Sequence, residues 1–428
     1  MAEAATRPQV GAVTLWATLL VAFLGWMFDG LEMGLYSWAV PPGLKDLLHT
    51  TDDQYIQRYI GYTVALFLLG MSAGGILFGR LGDRWGRVRT MTATVLVYAV
   101  FTGLSGLSRN VWQLAGCRFL GAMGLGGEWG VGVALVMEAW PNTSRPVLAG
   151  LLGAASNVGF LIAASLTARL SHSAGWQGLP PWRVALLIGF APAVLTLLVL
   201  MFVKESDRWR QASAGHRPSR FSDLFAPELR RNSLVGIAVS AVAVLGMWGV
   251  YQAWVQSWVE KLVSAGGTVD KSVVGAARAA VGVAMAYGSI LGGFLGGVLA
   301  QKLGRRTSYA LFCLGALASA LVLFLGNDQF GPRLLWCAGV GGVFAASFFG
   351  WLPLYLPELF PTRLRATGEG LTFNCGRVIS AAGVLGTGYL AQALGGPAHA
   401  CALMAGIWAI GLVVIGFAPE TKGCELPE

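Results

Sequence analysis

The chain has 428 residues, 55% of them hydrophobic and only 12% charged, with a mean hydropathy of +0.63 and a formal net charge of +9. A soluble chain is about 25% charged, so this composition excludes an ordinary water-soluble domain and leaves a protein whose surface faces lipid. The basic balance does not call for nucleic acid, because the lysines and arginines sit in short loops between apolar runs, where they suit the anionic cytoplasmic leaflet.

Twelve apolar segments long enough to span a bilayer follow in order. The first six lie near 12–37, 59–79, 88–107, 111–137, 147–169 and 184–203. The other six lie near 233–257, 279–300, 307–326, 334–356, 368–393 and 399–418. The first run is too long for a cleavable leader and reads as a span. An even count puts both ends on one side. With the N-terminus in the cytoplasm, that side holds nineteen Lys/Arg and the other nine, with Arg118 and Arg377 inside helices, so the positive-inside rule makes both termini cytoplasmic. The expected fold is an all-α membrane protein of two six-helix halves, 1–203 and 233–428, joined by a charged linker, 204–232. The linker contains Gly215 and Pro218, and short amphipathic helices under the membrane are expected in it.

The halves repeat each other. Gly74, Gly75, Gly79 and Gly86 return 218 residues later as Gly292, Gly293, Gly297 and Gly304, each set leading into a short basic turn. Glu138-x-x-Pro141-x-x-x-Arg145 returns as Glu358-x-x-Pro361-x-x-x-Arg365, and Lys204-Glu205-Ser206 is echoed by Pro419-Glu420-Thr421-Lys422. Such repeats imply a pseudo-two-fold axis along the membrane normal, which is a transporter plan. In the first turn, Asp83 can cap a helix N-terminus. Arg84 and Arg87 can then pair with acids across the half-to-half boundary, near the loop between the tenth and eleventh spans. That bond would hold one conformation and break in the other. The same residues also suit a basic turn that only fixes topology, the better reading for the second copy, where Gln301 replaces the acid.

Ionisable groups inside spans are costly and usually functional. Asp29 and Glu32 share a face of the first helix, and two close carboxylates disfavour double ionisation, as a proton-coupling site requires. Glu128 on the fourth helix is a further candidate. Arg118 lies ten residues before it, too far to pair along one helix, and could meet Asp29 or Glu32. Arg377 sits midway along the eleventh helix with Asn374 one turn earlier; its first-half counterpart is Asn157. A guanidinium presents a planar donor fork suited to a carboxylate, although a pairing with Glu369 would occupy it. Tyr251, Gln252 and Gln256, with Trp254 and Trp258, could supply hydrogen bonds and an aromatic wall, while Trp258 also suits the membrane interface. The substrate-binding candidates are therefore Arg118, Asn157, Tyr251, Gln252, Asn374 and Arg377.

On these motifs the chain resembles the major facilitator superfamily over essentially its whole length. The loop motif is met at Gly79, Leu81, Asp83, Arg84, Gly86 and Arg87, with Val88 where a basic residue is usual. The Glu138/Arg145 and Glu358/Arg365 motifs and the Pro-Glu-Thr-Lys-Gly ending resemble the branch of sugar porters and organic-acid:proton symporters. The runs Arg118–Gly130 and Pro357–Ala366, with Asp29-Gly-Leu-Glu32, are most similar to sialate, aromatic-acid and metabolite:proton symporters. The resemblance implies a secondary transporter of the plasma (inner) membrane, moving a small organic anion with protons and working as a monomer. A proton-coupled sugar or polyol porter, or a drug exporter, is the alternative within the same fold. No cofactor, metal or nucleic-acid partner is expected: no phosphate-binding Gly-x-x-x-x-Gly-Lys run, His-Glu-x-x-His motif or cysteine framework occurs. An intramembrane enzyme is disfavoured because the four histidines lie in loops or at helix ends. The short termini argue against a sensor.

Overall fold

The computed structural model describes residues 12–50, 52–141, 144–171, 175–190, 194, 196–197, 200–213, 220–252, 254–264 and 271–427. The first half comprises α1 (Ala12–Leu48), α2 (Asp53–Trp85), α3 (Arg87–Gly106), α4 (Val111–Ala139), α5 (Arg145–Ser171) and α6 (Pro181–Ile188). The rest of the expected sixth span falls partly outside the described residues. In the linker, α7 (Asp207–Ser213) and a 3₁₀ turn (Phe221–Phe225) form the expected short helices; Gly215 and Pro218 lie outside the described residues.

The second half opens with α8 (Pro227–Leu245), which runs through a π-helical turn (Gly246–Gln252) into α9 (Val255–Ser264). Then come α10 (Lys271–Leu303), α11 (Arg305–Leu325), α12 (Pro332–Leu359), α13 (Arg365–Ala393), α14 (Pro397–Met404) and α15 (Ile407–Gly416). Among the described residues, ten helices are long and apolar enough to cross a membrane. The eleventh of the twelve expected spans, α13, has the length, but its threonines, Asn374 and Arg377 make it too polar to be counted on apolarity.

Most helices outrun their apolar segments. Hydropathy registers only the part of a helix that faces lipid, whereas α1 continues through Pro41 and Pro42 to charged Lys45 and Asp46. Helix starts obey local chemistry. The Asn110 side chain accepts the Gln113 amide at 2.9 Å to cap α4, and prolines occupy the first turn of α8, α12 and α14.

The repeat is visible in the turns. Gly86 and Gly304 precede α3 and α11 at φ of 106° and 93°, a region that disfavours side chains. Above each lies a carboxylate. Glu205 accepts the Arg87 amide at 2.8 Å, and Glu420 accepts those of Arg305 and Arg306 at 2.9 and 3.0 Å. An anion at an exposed helix N-terminus is stabilising, so the echoed Glu205 and Glu420 motifs are caps. Partial burial would raise the Glu420 carboxyl, but these backbone donors outweigh it and hold Glu420 below the usual carboxylate range.

Small residues set how the helices meet. Within the halves, a Cβ on Gly74 would overlap the Met123 carbonyl, and one on Gly292 would overlap that of Val343, so α2 packs on α4 as α10 packs on α12. Between the halves, Gly150 and Gly153 of α5 face α10 and α12, while Gly75, Gly79 and Gly82 of α2 face α13. These seams lead to the face that carries the basic turns.

The two kinds of contact predict different failures. Gly292→Leu, inside one half, should abolish assembly, read as loss of monodisperse protein, because overlap with backbone exceeds the about 1–3 kcal/mol of ordinary overpacking. Gly293→Leu, which faces Gly153 of the other half, should assemble but fail to close. A cysteine introduced at buried Ala366 in a cysteine-free background would then stay reactive to a water-soluble thiol reagent.

Candidate functional site

Two α2–α3 side chains leave the basic turn and enter the seam. Asp83 accepts the Ala366 and Thr367 amides at 3.2 and 2.8 Å and the Thr367 hydroxyl at 2.5 Å, so an acid of the first half caps α13 of the second. Arg87, fully buried, donates to Asp83 at 2.6 Å, to Glu138 of α4 at 2.9 Å and across the seam to the Thr362 carbonyl at 2.9 Å. Arg365 returns the contact, donating to Glu138 at 3.0 Å. The linker closes over this cluster: Ser206 donates to Glu138 at 2.5 Å, and the Trp209 indole of α7 to the Asp83 carbonyl at 2.8 Å.

The second half builds the same device with one part changed. Arg305 grips Glu358 through two bonds of 2.6 and 3.0 Å, and Thr421 donates to Glu358 as Ser206 does to Glu138. Arg145 of the first half stands within electrostatic reach of Glu358, the mirror of Arg365 beside Glu138. Gln301, at the position of Asp83, only accepts a 3.4 Å bond from Arg305. Among the described residues the cross-seam cap therefore exists once.

Beyond this lock, α1, α4 and α13 carry the residues that would line a solute chamber. Arg377 is half-buried, donates to the Asn374 side chain at 2.9 Å, and lies 4.6 Å over the Phe373 ring. Phe373 stacks on Trp129 at 3.9 Å, and Trp129 on Trp26 at 5.8 Å, giving one aromatic wall shared by both halves. Asp29 on α1 is in electrostatic reach of Arg377, and its Oδ1 is buried with no hydrogen-bond partner among the described residues. Both oxygens of buried Glu128 also have none; its carboxylate rests against Gly25 of α1.

Several expectations move. Arg84 is exposed and makes no ion pair among the described residues; the cross-seam bonds belong to Asp83, Arg87 and Arg365, because only positions on the seam side of the turn can reach α13. Arg118 and Glu32 form a buried pair, with the guanidinium 3.8 Å over Tyr36 and 4.9 Å over Phe67. The pairing expected of Arg118 with a first-helix acid is thus met at Glu32, and its Nε and Nη2 have no hydrogen-bond partner among the described residues. Tyr251 is fully buried against Ser319, Phe324 and Trp408, in the core of the second half and not on a chamber wall. Trp258 is buried and packs on Phe324. Gln252 ends the π-helical turn, half-buried, and Asn157 is half-buried on α5. Arg377 pairs with Asn374, not with Glu369. Two features escaped the sequence: the burial of Glu369 beside the lock without a hydrogen-bond partner among the described residues, and the Trp129–Phe373 stack, for which spacing along the chain gives no signal.

The chain matches the family model of the Major Facilitator Superfamily over residues 15–384. It is 32% identical to a Haemophilus influenzae protein assigned a role in metabolite transport, covering 96% of this chain and 98% of that one. It is 28% identical to the cis,cis-muconate transport protein of Acinetobacter baylyi, covering 90% of each. Among solved structures, the proton:xylose symporter XylE of E. coli superposes with a TM-score of 0.80 at 17% identity, covering 97% of this chain and 98% of that one.

Asp83→Asn keeps the shape of the cap and removes its charge. Charge-assisted bonds of this kind are worth about 1.5–3 kcal/mol, so the closed-to-open ratio at the basic face should fall roughly 10–150-fold without loss of folded protein. Distances between spin labels on α2 and α13 would read it, and an unchanged distribution would leave the turn a topology signal only.

Proposed function

The chain belongs to the major facilitator superfamily and is a multi-pass membrane transporter rather than an enzyme, and from that premise we propose that it carries a small organic anion with one or more protons by alternating access. The basic loops and both termini face the cytoplasm of the plasma (inner) membrane. One chain supplies both halves of the chamber, so a monomer suffices.

Arg377 carries this reading. It is a half-buried guanidinium at mid-span, steadied by Asn374 and lying over the Phe373 ring. A neutral solute does not require a cation there, since a charge in a span is costly. The relative named for cis,cis-muconate transport, a dicarboxylate, supports the same class. The aromatic wall of Trp26, Trp129 and Phe373 suits an unsaturated or ring-bearing body. A second reading, a proton-coupled sugar or polyol porter, draws on the same wall and on the fold shared with the xylose symporter.

Charge balance gives a route for coupling. Before solute binds, Asp29 and Arg377 offset each other across the seam. An incoming carboxylate takes Arg377, and Asp29, deprived of its counter-charge, takes a proton. The loaded chamber is again neutral and crosses. Glu128, buried and unpartnered beside α1, is the second proton carrier, whereas Glu32 is neutralised by Arg118.

Arg377→Gln should therefore lose about 10–150-fold in affinity for the acid, from the same charge-assisted bond, and little for the neutral amide of that acid. Arg377→Lys should bind more weakly yet still prefer the anion. Equal parent affinity for acid and amide in a thermal-shift or calorimetric titration would move the sugar or polyol reading to first place. Asp29→Asn should abolish uptake driven by a pH gradient while retaining counterflow exchange; accumulation equal to the parent would place the proton site elsewhere.

A further inference from the structure

Glu369 lies one helical turn beyond Arg365 on α13, fully buried, and among the described residues neither carboxyl oxygen has a hydrogen-bond partner. Gly130 of α4, in the opposite half, packs against it: a Cβ on that glycine would stand 3.6 Å from the Glu369 Cβ. The charged groups facing it are Arg365 on its own helix, Asp83 and Arg87 from the α2–α3 turn, and Glu138 from α4. Those four are already matched. Two guanidiniums and two carboxylates bond one another at 2.6, 2.9 and 3.0 Å and sum to zero. A charge on Glu369 would be a third anion with no donor of its own, and burying an unpaired, unbonded charge is prohibitive.

We propose that Glu369 is a proton-binding site of the lock: its carboxyl is occupied by a proton while the basic face is closed, and gives that proton up when α4 and α13 separate there. The inference rests on the alternating-access reading above. The cause is geometric. Closing the seam brings Gly130 over Glu369 and removes water; opening it exposes the carboxyl to the solvent of the basic face, where the ionised form is hydrated. No partner is broken when the proton arrives or leaves, so the residue senses only solvent access and the balance of its neighbours. This site is separate from Asp29 and Glu128, which lie in the chamber. It ties release of a proton toward the basic face to the opening motion itself.

The sign follows from linkage. The closed state binds one more proton than the open state, so raising the pH above the ordinary carboxylate range favours opening, by up to tenfold in the closed-to-open ratio per pH unit. Glu369→Gln keeps the shape and needs no proton; Glu369→Leu fills similar space and loses no hydrogen bond, which guards against misfolding of either variant. Spin labels on α2 and α13 in the substrate-free, full-length protein, titrated between pH 5 and 9, read the ratio. Infrared spectroscopy of the closed state reads the protonated carboxyl band directly. The expected result is a less steep pH dependence in either variant, a closed population at high pH at least tenfold above the parent's, and loss of one carboxyl band in Glu369→Gln. A variant that opens with the parent's pH dependence, or keeps every carboxyl band, overturns the proposal. A parent that never opens at any pH would instead overturn alternating access, so the two failures are distinct.

Discussion

A carboxylate of one half ends a helix of the other, and the closed arrangement follows from that contact. The first turn of α13 presents amides with no partner in their own helix, and Asp83 supplies one from across the seam. The cap fixes the distance between the α2–α3 turn and α13, which brings Arg87 to the Thr362 carbonyl and Arg365 to Glu138. It also seats Gly79 and Gly82 against Ala366. The linker completes the arrangement, since Ser206 and Trp209 bond members of the same cluster. A segment that merely joined the halves would need no such contacts.

The two halves share a plan but not its use. Both place a glycine of positive φ before a helix, a glutamate over that helix end and an arginine on the motif glutamate at the end of the following helix. With Asp83 matched by Gln301, no second cross-seam cap forms among the described residues, and Arg305 grips Glu358 with both arms of its fork. The first half thus spends its arginine on four partners in two halves, and the second on its own half. That asymmetry puts the bonds between halves at one turn and leaves its copy bonded within its own half among the described residues.

Much of this was legible in the chain. The twelve segments, the repeat offsets and the pairing of motif acids with motif arginines are local or periodic, and periodic signals survive in sequence. The capping role of Asp83 was also within reach, because an acid in a tight basic turn has few other uses. What was not legible depends on which helix face meets which. Hydropathy could not tell that Tyr251 turns into the second half's own core, which of Asp29 and Glu32 takes Arg118, or that Arg84 points away from the seam while Arg87, three residues on, points into it. Glu369 was noticed only as a rival partner for Arg377. Its solitude is a property of the packed seam, where Gly130 covers it and the neighbouring charges are already matched.

A lock of buried ion pairs is suited to being opened. Burying a charge costs several kcal/mol, which the attraction between partners roughly repays, and on opening the same groups recover water. The net preference for the closed state is therefore a small difference between large opposing terms, within the range that a bound solute or a single proton can reverse. Moving such an equilibrium from 1:99 to 99:1 takes about 5.5 kcal/mol of differential binding. An apolar seam of equal area would lack this property, because its stabilisation grows with buried surface and is not returned by hydration. The glycines of α2, α5 and α10 keep that apolar contribution shallow: helices meet backbone to backbone, with little side-chain area to separate. Tight approach and modest adhesion thus come from the same residues, and the charges decide which face is shut.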